Sequence, residues 1–506
     1  MVLDLSRPRT VLVLALLYCA LHLAIRLVLS PVYNFDEAEQ ILVSQGLSLG
    51  YRVRHPPLMT WLTWAVIEAT GSLWFATHAL KAVLLAGGFL AYFAAARRLL
   101  GATWPAALAT VSTTGLFAVG WKAQVSLSHT VLLIATMSLT LWAMLRAVQR
   151  GGWGDYALFG LAFALGLISK FYFAAFGLGL IAAVLAVPEY RKAIRWERAA
   201  LSLFVAVLVT APPVAWTLDH WDAAMAAAHA SMASEGFDPV TSLYGFVGAL
   251  LLFTLPVSVL WVLLWPSASG LWAPLPAPLS QARRFLIVLM GTAALLFGAT
   301  LTLAGATNSL SRWLHPVLLW APMLVALAVQ ARPPGRGRVA GYLLSLAILA
   351  LVFAVARPVR YFDVPDGVCL LCRHHVPYPA LAEEIAAGTG FRGGTMVASD
   401  HFIGGNLRPR FGVDASILTV GYPLDVFPPS RGDGDCLAVW RPDPLDPTDT
   451  TLPAGLVWML TDGLGVDPEA LDAAPRQTVS APILQAPRQT YTLATLYIPG
   501  GSGACR

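Results

Sequence analysis

The chain has 506 residues, of which 57% are hydrophobic and only 12% charged, with a formal net charge of +5. A soluble domain carries about 25% charged residues, and a chain this apolar could not cover its core with polar surface in water, whereas a bilayer needs no such cover. The basic excess therefore reads as a topology signal, and the composition argues against nucleic-acid binding.

Arg7 and Arg9 precede an apolar run at 10–29 that is long enough to span a bilayer. The run lacks a small-residue cleavage site, so it reads as a retained first helix. Further apolar segments of spanning length follow at 74–99, 104–120, 126–147, 199–217, 242–265, 283–304, 311–330 and 339–356. The stretch 155–188 is long for one helix and short for two. Arginines and a lysine flank it on both sides (Arg146 and Arg150; Arg191, Lys192, Arg195 and Arg198), which predicts a hairpin with Lys170 at its outer tip. The expected fold is thus a polytopic α-helical membrane protein of about eleven spans. Alternate loops hold most of the basic residues, which predicts a cytoplasmic N-terminus and an outer C-terminal segment.

The first outer loop, 31–73, holds charges, aromatics and a His-Pro-Pro break, and it is expected to form amphipathic helices. The loop at about 218–241 is acidic (Asp219, Asp222, Glu235, Asp238). Residues 1–357 are expected to form the membrane domain. Residues 358–506 are expected to form a small soluble α/β domain, with a helix at 379–387 and strands at 395–398, 437–440 and 490–497. Cys19 lies in the first apolar run, while Cys369, Cys372, Cys436 and Cys505 lie in the polar segment. Four cysteines allow three pairings. One bridge within 369–372 and another between Cys436 and Cys505 is favoured over a zinc site, which would show a second ligand pair.

Three carboxylates follow the first span in Tyr33-Asn34-Phe35-Asp36-Glu37-Ala38-Glu39, where Asn34 or Asp36 could cap a short helix. Two arginines and a histidine follow in Tyr51-Arg52-Val53-Arg54-His55-Pro56-Pro57-Leu58, with Trp61 and Leu62 beyond. Gly166-Leu167-Ile168-Ser169-Lys170 and Ser311-Arg312-Trp313-Leu314-His315-Pro316 come later on the same predicted face. Together and in this order, these segments resemble the C-type integral-membrane glycosyltransferases. The likeness is to the branch that contains the protein mannosyltransferases and lipid A aminoarabinose transferases, and it covers about residues 10–330. One departure is Ser128-His129, where that branch often has an aspartate; His129 then reads as a hydrogen-bonded packing residue.

The resemblance implies transfer of a sugar from a polyprenyl-phosphate carrier to an envelope glycolipid or protein, at the outer face of a bacterial inner membrane. The leaving phosphate needs cations rather than a general acid, and the acceptor hydroxyl needs a base. Asp36 matches the family's acidic position and is the expected base. Glu37 is expected to hold the acceptor, the sugar or a cation. Lys170, Arg54 and Arg312 are expected to meet the phosphate, with His55 and His315 as positioning groups; Arg26 and Lys81 are expected to add positive field or to snorkel. Asp36, Glu37 and His55 could ligate a divalent cation, but no obligatory cofactor is expected. A transporter or flippase of lipid-linked sugars is the alternative, although the paired broken helices it should show are not visible.

Overall fold

The computed structural model describes residues 5–52, 55–126, 128–222, 239–264, 273–303, 313–362, 373–428, 434–500 and 505. Arg54, Arg312, Cys369, Cys372 and most of the acidic loop lie outside the described residues.

Among the described residues, seven helices are long and apolar enough to cross a membrane. They are α1 (Pro8–Leu29), α4 (Phe75–Leu100), α6 (Ser128–Arg150), α9 (Trp196–Asp219), α10 (Pro239–Trp261), α11 (Ala277–Leu303) and α13 (Arg336–Phe362). Three shorter apolar helices are α7 (Trp153–Leu167), α8 (Phe173–Ala186) and α12 (His315–Ala331). The expected continuous helix at 104–120 is interrupted. It runs as α5 (Thr103–Ser112), then a 3₁₀ turn at Thr113–Gly115 and a π turn at Ala118–Lys122. The side chains of Thr113 and Thr114 bond back to the carbonyls of Thr110 and Val111, competing with the helix ladder.

The contacts divide the chain into two compact units. The first comprises 1–23, 53–58 and 81–355; the second comprises 24–52, 59–80 and 356–506. In the first unit, small residues and hydroxyls let helices approach closely, as apolar surroundings favour. Gly160 of α7 lies against the backbone of Ser202 on α9, and Ser202 Oγ donates to Tyr156 O at 2.7 Å. Gly179 of α8 meets Leu289 of α11 in the same way, and Thr140 of α6 donates to Ala162 O of α7 at 3.0 Å. α7 and α8 are joined by a turn holding Lys170, as the sequence predicts.

The second unit holds a five-stranded sheet of order β2-β1-β3-β5-β4. The strands are β1 (Gly394–Ala398), β2 (Ala415–Thr419), β3 (Cys436–Trp440), β4 (Arg476–Ile483) and β5 (Ala486–Ile498). β2, β1 and β3 are parallel, while β5 runs antiparallel to β3 and pairs with β4 as a hairpin. β1, β2 and β3 are buried along their whole length, as strands covered on both faces must be. Two helices flank the strands in sequence, α14 (Tyr378–Thr389) and α15 (His401–Phe411). This unit also takes in the first-loop helices α2 (Phe35–Val43) and α3 (Leu58–Thr70, from Met59 onward). A disulfide joins Cys436 to Cys505, with Cα atoms 5.7 Å apart.

Candidate active site

In the second unit the site is built on α2, a helix of nine residues. A helix this short is marginal by itself and needs capping and docking. Asn34 caps it, and Glu37 Oε2 accepts from the Asn34 amide at 2.9 Å, which closes a capping box. Asp36 occupies the first turn, where the helix dipole favours an anion, and it is half-buried.

Glu37 is only 3% exposed. Its Oε2 lies 3.1 Å from an Arg26 guanidinium nitrogen and 3.8 Å from His78 Nε2. Arg26 also donates to the carbonyls of Ser30 at 2.7 Å and Val32 at 2.5 Å. Arg26 is thus a clamp on the turn between α1 and α2. The arrangement engages the buried Glu37 carboxylate, while Asp36 in the same first turn is half-buried. Glu39, one turn further on, accepts from Tyr422 Oη at 2.6 Å and from Arg52 at 3.1 Å. The Arg52 guanidinium also sits 4.8 Å from the Tyr422 ring centroid.

α15 supports α2 from beneath. Gly405 lies against the backbone of Ala38, so close that a Cβ there would collide with it. Asn406 Oδ1 accepts the Tyr33 amide at 2.8 Å, and its Nδ2 donates to Tyr33 O at 3.0 Å. Arg408 donates to Ile41 O, and Gln45 bonds both backbone groups of Ile417 on β2 (2.7 and 3.0 Å). His401 packs edge-on to Phe35 with centroids 4.0 Å apart. Burial lowers the pKa of His401, and Arg52 adds to that effect, while Glu39, Asp400 and Asp36 oppose it. Burial, foremost, and the neighbouring Glu39 push the Tyr422 hydroxyl well above its ordinary pKa, so it stays a donor.

In the first unit basic side chains gather around the Lys170 turn. Lys170 is 8% exposed and donates to Thr130 Oγ1 at 2.7 Å; its ammonium lies 5.3 Å from the Tyr172 ring centroid. His129, next to Thr130, stacks on His55 with centroids 4.3 Å apart. The Leu58 amide donates to Ile168 O at 3.1 Å, which ties the His-Pro-Pro turn to the Lys170 turn. The structure thus brings His55 and Lys170 to one place and adds His129, which the sequence reading treats as packing. His315 is fully buried at the start of α12, edge-on to Phe253 at 5.0 Å, and Trp313 packs near Tyr172 at 5.6 Å.

Arg26, His78, Arg52 and Tyr422 were not expected in these roles. Arg26 had a weak signal, an arginine inside an apolar span, which leans functional. Among the described residues no group of three or more His, Cys, Asp or Glu side chains is gathered as a metal ion would need.

Residues 54–216 match the family model described as dolichyl-phosphate-mannose-protein mannosyltransferase. The chain is 30% identical to the lipopolysaccharide core galacturonosyltransferase RgtA of Rhizobium johnstonii over 84% of this chain and 85% of that protein. It is 25% identical to RgtB, of the same description and organism, over 80% of this chain and 82% of that protein. Among solved structures, ArnT from Cupriavidus metallidurans bound to undecaprenyl phosphate superposes with a TM-score of 0.60 at 15% identity, covering 98% of both chains.

Proposed function

Because the chain belongs to the C-type integral-membrane glycosyltransferases, we propose that it moves a sugar from a polyprenyl-phosphate donor to the core region of an envelope lipopolysaccharide. The galacturonosyltransferase relatives support a hexuronosyl group as the sugar. The eleven-span count, the cytoplasmic N-terminus and an inner-membrane location with an outer C-terminal unit belong to the same proposal. What supports them is the alternation of basic and non-basic loops.

The chemistry is a single displacement with inversion. An acceptor hydroxyl attacks the anomeric carbon, the bond from that carbon to the phosphate oxygen breaks, and its electron pair leaves on the phosphate. Asp36 takes the hydroxyl proton, a role worth about 10²–10⁴ in rate for a well-placed base. Glu37, through Arg26 and the capping box, fixes the helix start that carries Asp36. Lys170, with His55 and His129, receives the phosphate as negative charge builds there, and Arg54, Arg312 and His315 are assigned to the same task. Catalysis by the residues named needs no metal.

The observation that carries this reading is the placement of Asp36, half-buried, in the first turn of a helix whose start is fixed by the Asn34–Glu37 capping box and the Arg26–Glu37 ion pair. The test is turnover of a labelled undecaprenyl-phosphate sugar by the purified protein. Wild type should release undecaprenyl phosphate, and Asp36→Asn should lower kcat by at least about 100-fold with insertion and melting intact. Undiminished activity would remove Asp36 from the mechanism. Lys170→Met should raise KM for the donor more than for the acceptor; an equal effect on both would leave the lysine only a structural role in the turn.

A further inference from the structure

Several arginines of the second unit are ion-paired. Arg26 is paired with Glu37, Arg52 with Glu39 and Arg410 with Glu383. Arg373 differs. It is exposed, and among the described residues no carboxylate lies within ion-pair distance of it. Its guanidinium carbon sits 4.6 Å from the centroid of Phe35, the first residue of α2 and the neighbour of Asp36. A guanidinium held by the face of a ring keeps its fork of N–H donors available for a second partner.

The segment behind it is fixed. Ser30 Oγ donates to His374 O at 2.6 Å, and the His375 ring stacks on Tyr361 (4.7 Å) with its Nε2 2.7 Å from Tyr361 O. Phe35 itself is braced on its edge by His401. The fork is therefore oriented before anything binds, which reduces the ordering cost of binding. A planar, exposed, oriented guanidinium with free donors is suited to carboxylate or phosphate oxygens, which it can engage through two parallel hydrogen bonds.

We propose that Arg373, seated on Phe35, forms an anion subsite at the start of the helix that carries Asp36, and that it binds a phosphate or carboxylate borne by one of the two sugar substrates. The inference rests on the transferase reading above. It adds a reason for the enzyme to choose acidic substrates over neutral ones.

The test reads equilibrium binding, so it does not depend on turnover. Full-length protein in nanodiscs, wild type and Arg373→Gln, is titrated with a phosphorylated lipopolysaccharide-core glycolipid and with its phosphatase-treated counterpart. Undecaprenyl-phosphate hexuronoside and hexoside are titrated in parallel. Arg373→Gln should weaken binding of one acidic ligand about tenfold, leave its neutral counterpart unchanged, and be partly offset in Arg373→Lys. A loss that follows the glycolipid's phosphates places the anion on the acceptor; a loss that follows the uronic carboxylate places it on the donor, and either supports the subsite. Equal losses for acidic and neutral ligands, no loss for any, or a wild type without preference for the acidic forms would each overturn it. Absence of turnover with intact selective binding would instead count against the transferase reading alone.

Discussion

A histidine shows how tightly the start of α2 is enclosed. His374 has its pKa pushed down to about 4, first by burial and then by the nearby charge of Arg26, with Arg357 and His375 adding to the effect and Glu37 opposing it. A lowered histidine pKa means that the folded state prefers the neutral ring. The contribution to stability is complete above the unfolded value near 6.5, and it fades as pH falls toward 4. Between pH 7 and pH 4.5 the wild type should lose about 2–3 kcal/mol more than His374→Gln, which has nothing to protonate there. Denaturant melts of the two proteins at both pH values measure the difference. Equal pH dependence would mean that the ring reaches solvent in the native state. The same crowding compensates the burial of Glu37, which is 3% exposed: Arg26, the Asn34 amide and His78 surround its oxygen.

At the scale of elements, α2 depends on α15. Gly405→Ala puts a Cβ into the backbone of Ala38, and overpacking of this kind costs about 1–3 kcal/mol. Asn406→Ala removes both hydrogen bonds to Tyr33 and leaves a partly buried amide and carbonyl to find other partners, at up to about 1–3 kcal/mol each. Both changes should lower kcat more than they raise either KM, because they shift the carboxylate of Asp36 rather than a binding group. A purely proportional loss of folded protein, with kcat per folded molecule unchanged, would show that α15 only stabilises. The sequence makes part of this legible. The long apolar helices, the hairpin at Lys170, the cap at Asn34, the helix at 378–389 and three of the strands all carry local signals of period, length or capping. α15 carried none: Gly404, Gly405, Asn406 and Pro409 are weak helix formers. It forms because Asp400 accepts from the amides of Phe402 and Ile403, at 2.8 and 2.9 Å, and because its glycines are needed for close packing. The ion pairs were hidden for a different reason. Tyr422 and Glu39 are 383 residues apart, and no pattern within one element announces such a partner.

At the scale of the whole molecule, the disulfide can report which side of the membrane the second unit occupies. Cys436 and Cys505 are both buried and bridged, closing a loop of 69 residues between β3 and the C-terminal end. Loop closure of that length stabilises by about 4 kcal/mol in the chain-entropy view. Such a bond persists in an oxidising compartment and is kept reduced in a bacterial cytoplasm. The basic loops predict that residues beyond α13 are extracytoplasmic. Thiols trapped by acid in intact cells, then alkylated in denaturant, should therefore leave Cys436 and Cys505 unlabelled until a reductant is added. Cys19, a buried free thiol on α1, should react in either case and serves as the internal standard. A Cys436→Ser/Cys505→Ser double variant should melt earlier than wild type by the amount that reductant lowers the wild-type melt. If both cysteines label without reduction in cells that oxidise secreted proteins normally, the second unit faces the cytoplasm. The charge-based orientation would then be inverted, and Asp36 would lie on the side where the proposed acceptor is absent.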